Sequence, residues 1–172
     1  MSKLTSKKLT LSACCFTHGI HDGLSSSVYV LLPILAQYFS LGFSQIGFIR
    51  SVYTGAMWLL EIPAAILSES LGERRLLVLG IIGTGIGFFT VSFTEGYYGV
   101  LLALFVAGCG AALQHSLCSS LISKSFGEPE RRIALGGYNA SGDIGKLVLT
   151  LVASLLLGIG AVSYTHLRAH ET

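Results

Sequence analysis

Charge is what this chain of 172 residues has least of: 11 Lys and Arg with 9 Asp and Glu, 12% in all. A soluble domain carries about 25%. So few charged side chains cannot cover a folded soluble domain of this size, and a mean hydropathy of +0.70 agrees. Disorder is excluded as well, because the chain is 52% hydrophobic and its net charge is only +2. Proline is scarce, 3 residues against 21 glycines, which suits closely packed membrane helices better than a loop-rich fold. A disulfide framework is also lacking. Cys14, Cys15, Cys109 and Cys118 lie inside apolar stretches without metal-ligand spacing, and they read as small hydrophobes in helix packing. What remains is an all-α integral membrane protein. One span needs roughly 20 apolar residues, so the length allows about five or six.

The few charges that are present sort into clusters, and the clusters divide the chain. Residues 1–9 hold Lys3, Lys7 and Lys8. They read as a basic tail leading into a retained first span, since no small-residue cleavage site ends a short apolar core. The apolar runs between these clusters predict helices at Thr10–Tyr38, Ile46–Leu67, Leu76–Thr94, Tyr97–Ile122 and Ala134–Gly158. Together, residues 10–160 form the expected transmembrane bundle. Basic residues alternate between loops. Arg74 and Arg75 follow the second span, and Lys124, Arg131 and Arg132 follow the fourth, while the other two loops have none. By the positive-inside rule this places the amino terminus in the cytoplasm; the cytoplasmic membrane is the location expected with the family resemblance given below. Residues 163–172 (SYTHLRAHET) are polar and break abruptly with the apolar run before them. They are expected to be non-native, and their two histidines, His166 and His170, are assigned no metal.

Ionisable groups inside spans need a reason, because a charge at mid-membrane costs about 2.5–3.5 kcal/mol on insertion scales. The first span holds His18, His21 and Asp22; the fourth holds Gln114 and His115; the fifth holds Asp143 and Lys146. His18, Asp22, Ser25 and Tyr29 follow helical spacing, as do Asn139, Asp143, Lys146 and Thr150. Two such stripes must face a cavity or each other. Asp143 and Lys146, at i,i+3, can neutralise each other without function. Asp22 has no cation in its own helix, and His18 is the partner able to share a proton with it. Arg50, about one turn from the uncharged loop, reads as snorkelling to the surface, and so does Glu61 at the other end of its span. Gly19-x-x-x-Gly23 and Gly83-x-x-x-Gly87 allow close helix approach.

Between spans two and three, Ala65–Arg74 reads AILSESLGER, followed by Arg75. This resembles the loop signature of the major facilitator superfamily. Glu69, Gly72, Arg74 and Arg75 carry the match; Ala65, Ser70 and Glu73 depart from it. His18–Ile49, Val106–Ile122 (VAGCGAALQHSLCSSLI) and Gly136–Lys146 (GGYNASGDIGK) resemble the fosmidomycin-resistance-like branch of that superfamily. The fifth span lacks the proline of the antiporter motif found in many drug exporters. The resemblance covers about residues 10–160. It implies twelve helices in two six-helix halves around a central cavity, of which this chain supplies five.

The resemblance further implies a secondary active transporter that moves a small solute, with proton-coupled efflux as the expected mode. Its partners would be the lipid bilayer, a small-molecule substrate and protons. No nucleic acid, cofactor or metal is expected, and no enzymatic activity. The expected pathway residues are Asp22, His18, His21, Tyr29, His115, Gln114, Asn139, Asp143 and Lys146. Two other classes stay open: a small five-helix scaffold without transport activity, and an intramembrane hydrolase. The second has little support, since neither a G-x-S-x-G elbow nor an H-E-x-x-H pair is present. The transporter reading predicts that apolar segments continue in the source reading frame past codon 162. A stop codon there, reproduced in independent reads, favours the scaffold.

Overall fold

The computed structural model describes the backbone of residues 3–169 and the side chains of residues 6–158. The polar end 163–172, with His166 and His170, lies outside the described side chains. Among the described residues the chain is helical throughout, without strands. The helices are α1 (Lys3–Tyr38), α2 (Phe43–Leu71), α3 (Glu73–Val91), α4 (Tyr97–Ala111), α5 (Gln114–Ser125) and α6 (Glu130–Ala169). Five segments are long and apolar enough to cross a membrane, with α4 and α5 sharing one, Tyr97–Ser125. Large apolar side chains face outward along them, including Trp58, Leu59, Ile62 and Phe89. That surface suits lipid rather than water, as expected of an integral membrane protein.

The expected helix at 97–122 is broken. At Ala112 and Leu113 the hydrogen-bond ladder tightens, with the Leu113 amide bonding the Gly110 carbonyl at 3.2 Å. An i−3 bond of this kind shifts the phase of the helix. Gly108 and Gly110, packed against α2 and α3, leave no side chains to resist the shift. The break delivers Gln114 and His115 at the first turn of α5. Two other boundaries differ from expectation. The loop predicted for 124–132 shortens because α6 starts at Glu130, and α1 begins at Lys3.

Two apolar clusters hold the bundle. One joins Val28 and Leu32 of α1 to Ile49 and Tyr53 of α2 and Val100 and Leu104 of α4. The other, toward the end that holds the N-terminus, joins Cys14 to Cys118, Ile122, Ala134 and Tyr138. All four cysteines are free, as their apolar setting suggested. Between the clusters along α1 lies a polar layer: His18, His21 and Asp22 are each buried.

Glycine sets the spacing of the helices around that layer. A Cβ on Gly145 of α6 would overlap the Gly19 carbonyl of α1, and one on Gly142 would meet the His18 ring at 2.6 Å. Gly87 of α3 meets Ala107 of α4 in the same way. Close backbone approach of this kind is the main source of packing energy between helices in lipid. Gly145→Ala is therefore expected to lower stability by about 1–3 kcal/mol, the ordinary cost of overpacking. An earlier thermal transition in detergent would show it, whereas Gly136→Ala, with open space at its Cβ, should leave the transition unchanged.

Candidate functional site

Asp22 is the centre of the polar layer. Its Oδ2 lies 3.3 Å from His18 Nε2 and 3.1 Å from Lys146 Nζ, and its Oδ1 lies 3.2 Å from His21 Nδ1 and 3.4 Å from His115 Nε2. Three helices contribute: α1 supplies the carboxylate and two histidines, α5 supplies His115, and α6 supplies Lys146. The local sequence explains each placement. His18 and Asp22 are four residues apart on α1 and share a face. His115 arrives through the break before α5. Lys146 reaches across because Gly142 and Gly145 bring α6 onto α1.

The rings pack around one another. His18 stacks on Tyr138 with centroids 4.0 Å apart. His115 stands edge-on to His18 and His21, at 5.0 and 5.1 Å. His18 Nδ1 lies 2.9 Å from the Tyr138 carbonyl oxygen. A carbonyl only accepts, so Nδ1 must donate. In a neutral imidazole the remaining nitrogen, Nε2, then carries a lone pair, and it faces the Asp22 carboxylate. Two acceptors at hydrogen-bond distance need one proton between them.

Exposure is graded across the cluster. The Asp22 side chain is 8% exposed, His115 35%, Lys146 47% and Asp143 78%. Lys146 also holds Asp143 at 3.0 Å, so the expected i,i+3 pair forms, but its cation is shared with Asp22. Along the expected stripe on α6, Asn139, Asp143 and Lys146 are exposed, and Lys146 is the member that reaches Asp22. The stripe on α1 divides as well. Its first half, His18 and Asp22, faces α5 and α6. Its second half, Ser25 and Tyr29, meets Arg50 of α2. Arg50 Nη1 donates to the Ser25 carbonyl at 3.3 Å, and the guanidinium lies 4.3 Å from the Tyr29 ring centre and 5.3 Å from that of Tyr53. The snorkelling expected of Arg50 is therefore not what the structure has.

Gln114 is buried, and its amide nitrogen donates to Cys118 Sγ at 3.7 Å. With His21 it lines a largely apolar pocket of about 200 Å³ between α1 and α3. At the loop motif, Gly72 turns the chain with φ of 86°, a left-handed conformation suited to glycine. Glu69, Arg74 and Arg75 are exposed. Glu73, a departure from the signature, makes the cross-helix contacts there. It accepts from Ser120 and from Lys124 at 2.7 Å, tying the start of α3 to α5. Its place in the first turn of α3 was the available signal, since an acidic group is favoured there.

The ligand atoms of His18, Asp22 and His115 lie within 4.8 Å of one another, a spacing that would admit a metal ion. The charges of the set argue otherwise, because the Lys146 ammonium, 3.1 Å from Asp22 Oδ2, already places one positive charge on this single carboxylate and would repel a second cation.

Five apolar spans around a buried carboxylate, with its partners graded toward the exposed surface, define a polytopic membrane protein. The Major Facilitator Superfamily profile matches residues 14–166, and the chain belongs to that family. It is similar to the uncharacterized MFS-type transporter YfnC of Bacillus subtilis, 24% identical over 88% of this chain and 38% of the relative. It is also similar to the fosmidomycin resistance protein of Escherichia coli, 25% identical over 92% and 40% of the two chains. A third relative is a probable 4-methylmuconolactone transporter of Cupriavidus pinatubonensis, 25% identical over 83% and 34%. The chain thus spans 34–40% of the length of these relatives.

The hydrogen-bond logic at His18 has a direct spectroscopic consequence. In ¹⁵N-labelled protein, His18 Nδ1 should carry a proton throughout the range of histidine titration, about pH 5 to 8. An unprotonated Nδ1 at the upper end would remove the donor to Tyr138.

Proposed function

We propose that the chain forms five helices of the amino-terminal half of a proton-coupled secondary transporter. It lies in the cytoplasmic membrane with its amino terminus inside and exports a small solute. The observation that carries the reading is the His18–Asp22 pair: a buried carboxylate and an imidazole lone pair face each other, with a place for one proton between them. Intramembrane ionisable groups in contact with one another are the usual form of a proton relay. His115 and Lys146, the more exposed members, connect that proton to the exposed face. Family membership supports the transport class, and the fosmidomycin resistance protein among the relatives supports export.

In this reading Asp22 and His18 bind the proton, His21 and His115 hold the carboxylate from its other oxygen, and Lys146 balances its charge while Asp22 is ionised. Gln114, Tyr29, Asn139 and Asp143 line the path. Alternating access would come from rocking of this half against a second one.

Asp22→Asn keeps the size and one acceptor oxygen but removes the titrating group. Reconstituted at the full length of its relatives, that variant should insert normally and lose solute movement driven by a pH gradient across proteoliposomes. Unchanged pH-driven flux in the Asn variant would overturn the proton assignment.

A further inference from the structure

The four cysteines are not alike. Cys15 and Cys109 are partly buried, whereas Cys14 of α1 and Cys118 of α5 are sealed inside the bundle and lie in one cluster with Ile122, Ala134 and Tyr138. Helix geometry brings these two together. The His18 and His115 rings meet with centroids 5.0 Å apart. Cys14 stands four residues before His18 on α1, and Cys118 stands three residues after His115 on α5. The two helices run in opposite directions, so one turn back on α1 and one turn forward on α5 descend together by ~5 Å. The two thiols accordingly hydrogen-bond each other. Gln114 Nε2 donates to Cys118 Sγ at 3.7 Å, which leaves the Cys118 S–H for Cys14.

Packing explains a single buried cysteine as a small hydrophobe. It does not call for two thiols in contact across a helix interface, where alanine would fill the space as well. Thiols in contact have a chemistry that neither has alone, since they are one oxidation step from a disulfide. The pair takes no part in the carboxylate layer one turn away.

We propose that Cys14 and Cys118 form a redox modification site, a reversible disulfide that fastens α5 to α1 beneath the Asp22 layer. The oxidant is a small neutral two-electron acceptor of the azo or quinone class, which reaches buried thiols through lipid. Two S–H bonds break and one S–S bond forms. The sulfurs give up two electrons and two protons, and the acceptor becomes a hydrazine or a quinol. A dithiol reductant reverses the step by thiol–disulfide exchange. With the amino terminus inside, as proposed, the pair lies toward the cytoplasm, where bridges are transient and redox-sensing rather than structural. The bridge closes a loop of ~100 residues and anchors the helix that carries His115 one turn from that residue. None of this needs transport, so its failure and that of the transporter reading are separate.

The test treats the whole chain in nanodiscs with diamide, denatures it, and counts free thiols by mass after N-ethylmaleimide. The wild type should fall from four free thiols to two, and dithiothreitol should restore all four. Cys15→Ala and Cys109→Ala should each still lose two thiols, whereas Cys14→Ala and Cys118→Ala should each keep all three. Four free thiols in the treated wild type would overturn the proposal, as would a bridge that survives Cys118→Ala. If the Cys14 or Cys118 variant does not fold, peptide mapping of oxidised Cys15→Ala decides. Cys14 joined to Cys118 is the expected pair; a bridge through Cys109, or a covalent dimer on a non-reducing gel, would sink the assignment. The oxidised wild type should also unfold several degrees above the reduced form in detergent. An unchanged or lower transition would remove the fastening role.

Discussion

Everything in the bundle's middle depends on stabilising one buried carboxylate. Asp22 has almost no water contact, and a carboxylate in that setting is tolerated only with partners on both oxygens. Two of those partners, His18 and His21, come from its own helix. Lys146 and His115 require other helices to arrive at hydrogen-bond distance. The small residues make that possible. Without a side chain at Gly142 or Gly145, α6 lies directly on α1 at the turns beside Asp22. Packing and electrostatics are therefore one constraint here, since a bulkier residue at either position would push the cation away from the carboxylate.

The break before α5 serves the same end. A straight helix from Tyr97 to Ser125 would present its residues with a constant phase. The tightened turn at Ala112 and Leu113 shifts that phase and sends His115 toward Asp22. Gln114, its neighbour, stays buried and turns to Cys118. Glu73 then fixes the far end of α5 through Ser120 and Lys124. The helix carrying His115 is thus set at one end by a backbone shift and at the other by an ion pair.

The five spans and the membrane setting were legible because long apolar runs with few charges have few other uses. His18 and Asp22 were legible from spacing alone. Four other features were not. Lys146 had a sufficient partner in Asp143, and nothing in a linear pattern says that a cation is shared. Arg50 stood close to a loop, and distance along the chain does not reveal the direction of a side chain. The break at Ala112–Leu113 carries no proline, and an Ala-Gly run gives no warning of a lost hydrogen bond. Glu73 looked like a departure from a loop signature, whereas its worth lies in contacts with residues about 50 positions away. Three of these are tertiary pairings, and pairings between helices leave little trace in the pattern of any one helix; the fourth is a backbone shift that no residue type marks.

The two polar layers on α1 are close enough to affect each other. Ser25, which accepts from Arg50, is three residues past Asp22, a rise of ~4.5 Å. The charges of this region are Asp22 and Asp143 against Lys146 and Arg50, which sum to zero with the histidines neutral. A proton added between His18 and Asp22 leaves the region at plus one in a medium of low dielectric, where an uncompensated charge is costly.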